Sequence, residues 1–384
     1  AFVGPSIVQI DLTNDCNNDC IACWCNSSLL GDKKLSAEQK KIHLSLPVVQ
    51  NLIDDLVELG TQEIFLSGGG EPFMHPQIME IIKLIKRKGL TLHINTNFTL
   101  ITEGIVRTLV DLNVDFLTVS LWAGTPAVYA KTHPNKNERT FEDIVRLLKY
   151  LQRLRPPHTA PQVKLYHVIS NINYTDFENM YAIACSTEAD TVEFALLDPI
   201  PGKTEVLLLN DVQLSELRSA AEKLRQTICA AEKDLIPLPK IVQFDQFLRR
   251  IADKSSLSGN YDQAIIDSFP CYAGWVFARI IPDGNVNACL KAHRIPVGNI
   301  NYESFKILWN SPQQRTFRKE TAVHKKTSSF FSQIGNDPSA QVGCHKGCDD
   351  LGRNLLFHEA IGRLNVIERL MLRIVAGIHR KIKC

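Results

Sequence analysis

The stretch "DCNNDCIACWC" (residues 15–25) sets four cysteines into eleven positions, directly after "SIVQIDL" (6–12), a run that reads as a β-strand. Cys16, Cys20 and Cys23 have the spacing C-x3-C-x2-C, and Cys25 follows two places on. The N-terminal "AFVGPSIVQIDL" lacks the charged and apolar regions of a signal peptide, so a reducing, cytoplasmic location is expected. There, clustered thiols more often bind metal or do chemistry than form disulfides. Spacing alone leaves iron–sulfur ligation, zinc ligation and chance open. Three thiolates on one loop suit a cubane with one iron left free. Structural zinc instead favours four ligands in paired C-x2–4-C units.

Outward from this loop, strand-like runs alternate with helical patterns. "EIFLSG" (63–68), "LTLHINTN" (90–97), "VDFLTVSL" (114–121), "VKLYHVIS" (163–170) and "TVEFALL" (191–197) follow the first strand, with amphipathic stretches between them. Six strands and five helices make a parallel βα repeat, either a partial (βα)6 TIM-like barrel or a doubly wound sheet. Ligands in both gather at the C-terminal strand ends. The division expected is a barrel over 1–235, a linker over 236–270, a small cysteine-bearing domain over 271–354 and a C-terminal amphipathic helix over 355–384.

The chain of 384 residues carries 43 basic and 41 acidic side chains, a balance without a nucleic-acid footprint. No apolar run is long enough to span a bilayer. The tail from 355 is apolar on one side and basic on the other, so peripheral contact with an anionic membrane stands beside docking on the protein itself.

One βα unit after the cysteines comes "LSGGGEP" (66–72), at the end of the second strand. With the triplet, in this order and separation, the chain resembles the radical S-adenosylmethionine (SAM) superfamily, and the partial barrel is the fold that the resemblance implies. It implies that Cys16, Cys20 and Cys23 hold a [4Fe–4S] cluster whose open iron binds SAM. Gly69, Gly70 and Glu71 would meet the methionine amino group. Asn97, Ser120 and Asn171, at later strand ends, become candidates for ribose and carboxylate contacts. The family often has an aromatic residue before the third cysteine; here it is Ala22, with Trp24 one place beyond. Cys25 has no counterpart in the motif and also reads as a small buried apolar residue.

A second set, Cys271, Cys289, Cys344 and Cys348, includes a hairpin turning at Asp283–Gly284 and the segment "GCHKGCD". It resembles the SPASM and twitch extensions of the superfamily, and four cysteines imply one auxiliary [4Fe–4S] cluster. Four-cysteine zinc is the competing reading.

The family chemistry is reductive cleavage of SAM to a 5′-deoxyadenosyl radical that abstracts hydrogen, with an electron donor such as flavodoxin or ferredoxin. By strand parity Gln9, Asp11, His93, Asn95, Asn97, Tyr166 and Glu193 line the lumen. Their character suggests a polar small molecule or glycan, and dehydrogenation is the expected outcome. An epimerase would need a thiol to return hydrogen, from Cys25, Cys185, Cys229 or Cys384; Cys25, Cys229, Tyr166 and Glu193 are the catalytic candidates. A peptide maturase is a further alternative; a first strand at residue 6 sets the expectation of no leader-binding domain ahead of it, which weighs against this reading without excluding it, because a separate protein can bind the leader. The non-enzymatic alternative is a zinc-stabilised binding protein.

Overall fold

The computed structural model describes residues 4–156, 159–233, 237–335, 344, 347–365 and 368. Its frame is one ten-stranded sheet. Strands β1 (Ile7–Asp11), β2 (Glu63–Ser67), β3 (Thr91–Thr96), β4 (Phe116–Ser120), β5 (Gln162–Ile169), β6 (Thr191–Leu196) and β7 (Lys240–Val242) run parallel in that order. On the other side of β1 comes β8 (Phe277–Ile280), parallel to it, then β9 (Asn285–Asn287) and β10 (Gly298–Asn299), each antiparallel to its neighbour.

Strand alternation explains the layers. Val8 and Ile10, Ile64 and Leu66, Leu92 and Ile94, Leu117 and Val119, and Val163 and Leu165 are all buried on the side covered by helices. The helices answer with apolar stripes: Leu46–Glu58 buries Val49, Leu52, Ile53 and Leu56, and Ile78–Arg87 buries four isoleucines. Each such side chain contributes about 1.5–3 kcal/mol relative to exposure. The opposite strand face carries Gln9, Asp11, Ser67, Asn95, Ser120, Tyr166 and Glu193. A polar lumen thus opens at the C-terminal strand ends.

One expectation needs correction. Residues 236–270 are no linker: β7 pairs with β6, and the helix Phe244–Ala252 buries Phe247 and Ile251 against the core. The segment gave no strand signal because β7 is three residues long. The small cysteine-bearing domain expected from residue 271 joins the barrel sheet through β8, which hydrogen-bonds to β1. At the C-terminus the helix is Leu351–Arg363, packed through Leu351 and Asn354. Most of the basic amphipathic tail lies outside the described residues. Among the described residues no helix is long and apolar enough to cross a membrane.

Candidate active site

The cysteine loop leaves the end of β1 and is stapled to the loop after β2. The backbone N–H of Glu71 donates to the carbonyl of Asp15 (2.8 Å). A β-carbon at Gly70 would stand 2.0 Å from that same carbonyl oxygen, so only glycine permits the approach. The glycines therefore fit two loops together. Glu71 is 3 % exposed, and its carboxylate accepts from Thr96 Oγ1 (2.7 Å), the Asn97 N–H (2.7 Å) and the Phe73 N–H (3.2 Å). Burial raises its pKa to about 7 against those three donors. Its side chain is thus engaged within the protein, fixing the end of β3. Asn97, held there, extends Nδ2 to Asn17 Oδ1 (2.9 Å) and towards Cys16 Sγ (3.9 Å).

Backbone donors already face the sulfurs. The Asn18 N–H donates to Cys16 Sγ (3.4 Å), and the Cys25 and Asn26 N–H groups donate to Cys23 Sγ (3.4 and 3.3 Å). Burial pushes the Cys16 thiol up to about 12 and that of Cys20 well up, so in the metal-free protein these are thiols. Metal ligation removes such protons. Beside them, the Asn26 carboxamide is buried, and neither its nitrogen nor its oxygen has a hydrogen-bond partner. Orphaned polar groups next to preset N–H···S donors fit a bound group that completes the site.

The second cysteine set borders a cavity lined by Cys271, Cys289, Cys344 and Cys348 with Phe317 and Phe331. Among the described residues no three Cys, His, Asp or Glu side chains converge as ligands of a single ion. Space between four thiols is what a polynuclear cluster requires. Three of the cysteine segments are pinned by buried polar side chains. The Tyr272 N–H donates to Asn354 Oδ1 (2.6 Å), and the Leu290 N–H donates to Asp350 Oδ2 (3.1 Å). The Cys348 N–H donates to Asp262 Oδ2 (3.2 Å), itself gripped by Arg249 and Arg250.

Two contacts join the sites. Arg279 of β8 binds Asp11 of β1 (2.6 and 2.8 Å) and donates to the Leu290 carbonyl (2.9 Å), next to Cys289. Lys291, on the cavity wall, pairs with Asp198 (2.5 Å) and lies 5.5 Å from the Trp24 ring centroid. Trp24 thus faces the auxiliary side. The region around Ala22 is filled by another residue: Trp122 packs into the apolar cluster formed by Ala22, Leu197 and Leu207.

Residues 10–184 match the family model described as "Radical SAM superfamily", and residues 271–330 match "Iron-sulfur cluster-binding domain", the SPASM model. The chain belongs to the radical SAM superfamily. It is 22 % identical over 314 residues to the "Tungsten-containing aldehyde ferredoxin oxidoreductase cofactor-modifying protein" of Pyrococcus furiosus, covering 81 % of this chain and 82 % of that protein. It is 24 % identical over 326 residues to the PqqA peptide cyclase of Gluconobacter oxydans, covering 82 % and 79 % respectively. Among solved structures, Streptococcus suis SuiB bound to S-adenosylmethionine aligns with a TM-score of 0.63 at 15 % identity, covering 90 % of this chain and 73 % of that one. That likeness concerns the fold.

Membership in the radical SAM superfamily implies a [4Fe–4S] cluster and SAM, and the SPASM match implies auxiliary iron–sulfur. The thiols, N–H···S donors and orphaned Asn26 amide fit the former, and the four-cysteine cavity fits the latter. The structure brings Cys16, Cys20, Cys23, Gly69, Gly70 and Asn97 together. Cys25 joins them: its Sγ would lie 3.6 Å from a β-carbon at Gly69. Tyr166 and Glu193 line the lumen, Glu193 paired with Lys164 (2.6 Å), while Asn171 Nδ2 donates to the Val206 carbonyl (2.8 Å). Cys229 is a correction. It is exposed on the helix Asp211–Lys233, which packs outside the barrel against Phe177–Ser186 and Phe244–Ala252. His93 is also occupied, stacked between Phe65 and Phe116 (3.9 and 4.3 Å) deep in the lumen. Sequence reasoning missed Asp198, Arg250, Asp262, Arg279 and Lys291. A lone charged residue has no spacing signature, and each takes its meaning from a partner on another element.

Proposed function

We propose that this radical SAM enzyme abstracts a hydrogen atom from a polar substrate in the lumen and oxidises it, with the four-cysteine site receiving the second electron. When bound, the cluster and SAM supply the carbon radical that removes the hydrogen atom. The protein's own groups hold and orient the substrate and exclude water. Tyr166, the Lys164–Glu193 pair and the Lys291–Asp198 pair offer donors and acceptors to hydroxyl or amide groups. The observation that carries the reading is the placement of Lys291. It lies on the wall of the auxiliary cavity and against Trp24 of the SAM-site loop, so a substrate there would touch both halves of the chemistry.

Four cysteines saturate one cubane, so the auxiliary site suits electron transfer better than substrate ligation. Epimerisation needs a thiol near the lumen, and among the described cysteines outside the two ligand sets only Cys25 is beside it. Cys185 lies on an outer helix and Cys229 is exposed, while Cys384 lies outside the described residues. The lumen's polarity supports a sugar or aminocyclitol. A peptide substrate is the second reading, favoured by likeness to the PqqA peptide cyclase over most of both chains.

The test is anaerobic turnover with SAM and reduced flavodoxin or ferredoxin on separate pools of sugars, aminocyclitols and peptides. A product lacking two hydrogens, with one 5′-deoxyadenosine per turnover, supports oxidation. Deuterium gained from heavy water at an inverted C–H centre, and lost in Cys25→Ser, would replace oxidation with epimerisation.

A further inference from the structure

Several buried or half-buried cations among the described residues pair with carboxylates. Arg155 pairs with Asp190 (2.5 Å), Arg250 with Asp262 (2.6 Å), Arg279 with Asp11 (2.6 Å) and Lys291 with Asp198 (2.5 Å). Lys326 breaks the pattern. It is 1 % exposed, and its ammonium donates to the carbonyls of Ile266 (2.9 Å), Phe269 (2.7 Å), Val323 (2.9 Å) and His324 (2.5 Å). Among the described residues no carboxylate pairs with that ammonium. Asp267 is close by, but it accepts the backbone N–H of Lys326 (2.9 Å).

The carbonyls satisfy the ammonium's three N–H groups, and Asp267 acts on its charge without touching it. Burying a cation in that way is costly. A neutral donor could tie carbonyls together at a lower cost, so the charge itself asks for an anion nearby. The surroundings offer Asp267 and the cysteine set. Burial holds the Lys326 ammonium below the usual lysine range, and Cys271 and Cys344, ahead of Asp267 and Cys348, oppose that shift. As thiols Cys271, Cys344 and Cys348 are neutral, but as cluster ligands they would be thiolates, adding to the negative charge of Asp267. The bond to Phe269 also clamps the chain two residues before Cys271.

We propose that Lys326 is the fixed counter-charge of the auxiliary cluster, clamping the segment that presents Cys271 and favouring the reduced state of the iron. The inference rests on the auxiliary site holding a cluster. Net charge around an iron–sulfur centre is one of the factors that set its reduction potential, so removing a nearby cation lowers that potential.

The experiment compares full-length reconstituted wild type, Lys326→Met and Lys326→Arg by EPR-monitored redox titration, with the SAM-binding cluster as internal reference. The expected result is a more negative auxiliary potential in the Met variant, a value near wild type in Arg, and an unmoved SAM-site potential in both. An unchanged auxiliary potential in a Met variant that keeps both clusters would overturn the proposal, as would equal shifts at both clusters. If the Met variant folds without auxiliary iron, iron retention decides: Arg, which keeps the charge, should hold it, and equal loss in Arg would refute the counter-charge. Wild type containing iron at the SAM site alone would remove the auxiliary-cluster reading itself, an outcome separate from either of these.

Discussion

The two cysteine sites are built in opposite ways. The first loop packs its three candidate ligands into eight consecutive residues, meets the Cys16 and Cys23 sulfurs with backbone N–H groups and leaves the Asn26 amide unsatisfied. The auxiliary site draws its four cysteines from three distant segments and fixes them with buried polar side chains, Asp262, Asp350, Asn354 and Lys326. The difference fits the roles proposed for the two sites. A centre that exchanges a small-molecule ligand needs groups in reserve, whereas a saturated centre needs its surroundings complete. Covalent proximity orders the first set cheaply; the second must recover its ordering entropy through buried polar pairs.

The contrast breaks most plainly if the sites are not independent. Replacing Cys16, Cys20 and Cys23 with alanine is expected to abolish SAM cleavage and remove about half the iron, leaving the auxiliary half in place. Iron analysis and 5′-deoxyadenosine assays check it; loss of all the iron would show one cooperative site. Next in size is Asp262→Ala. It strands Arg249 and Arg250 and frees the Cys348 N–H, at a cost of about 3–5 kcal/mol for breaking a buried pair. Auxiliary iron should be lost selectively, with the SAM-site signal retained in the EPR spectrum.

How far each region was legible follows from the same contrast. The SAM-site loop and the "GGGEP" turn are local, so spacing and strand order disclosed them, together with the parallel sheet. Gly70 was legible as a motif residue, but not as the point where two loops meet at the Asp15 carbonyl. The cysteines of the auxiliary set were visible; their supports were not. Asp262 lies in a stretch that looks like a linker, and Arg279 reaches Asp11 across 268 positions. β7 escaped because three residues carry too little alternation to register against turn-like neighbours.

A smaller effect sharpens the idea that the SAM site keeps polar groups in reserve. Asn26 is 1 % exposed, and neither its amide nitrogen nor its oxygen has a partner. Each unsatisfied group costs about 1–3 kcal/mol in the ligand-free protein. Asn26→Leu should therefore leave the melting temperature of cluster-free protein unchanged or raised, while SAM binding to the reconstituted protein weakens. A lower melting temperature with unaltered SAM affinity would make Asn26 an ordinary structural residue. The same exchange at Asp350, which already has partners, should destabilise in both states.

The smallest effect lies away from both sites and serves as their control. His167, on the helix-facing side of β5, is fully buried among Phe177 and Phe194, and neither ring nitrogen has a partner. Desolvation lowers its pKa to about 3, against about 6.5 in the unfolded chain. The native state therefore keeps the ring neutral while the unfolded state takes up a proton. Its contribution is fully present above pH 6.5 and is lost progressively as pH falls towards 3. Linkage gives a loss of about 1.4 kcal/mol at pH 5.5. His167→Phe should remove that part of the acid sensitivity in cluster-free protein, measured by denaturant unfolding at pH 7.5 and 5.5. Iron content after reconstitution should be unchanged, because the ring touches neither cysteine set. If the variant lost as much stability between the two pH values as wild type, the acid-labile groups would lie elsewhere, and the buried thiols and carboxylates around the clusters would be the next to test.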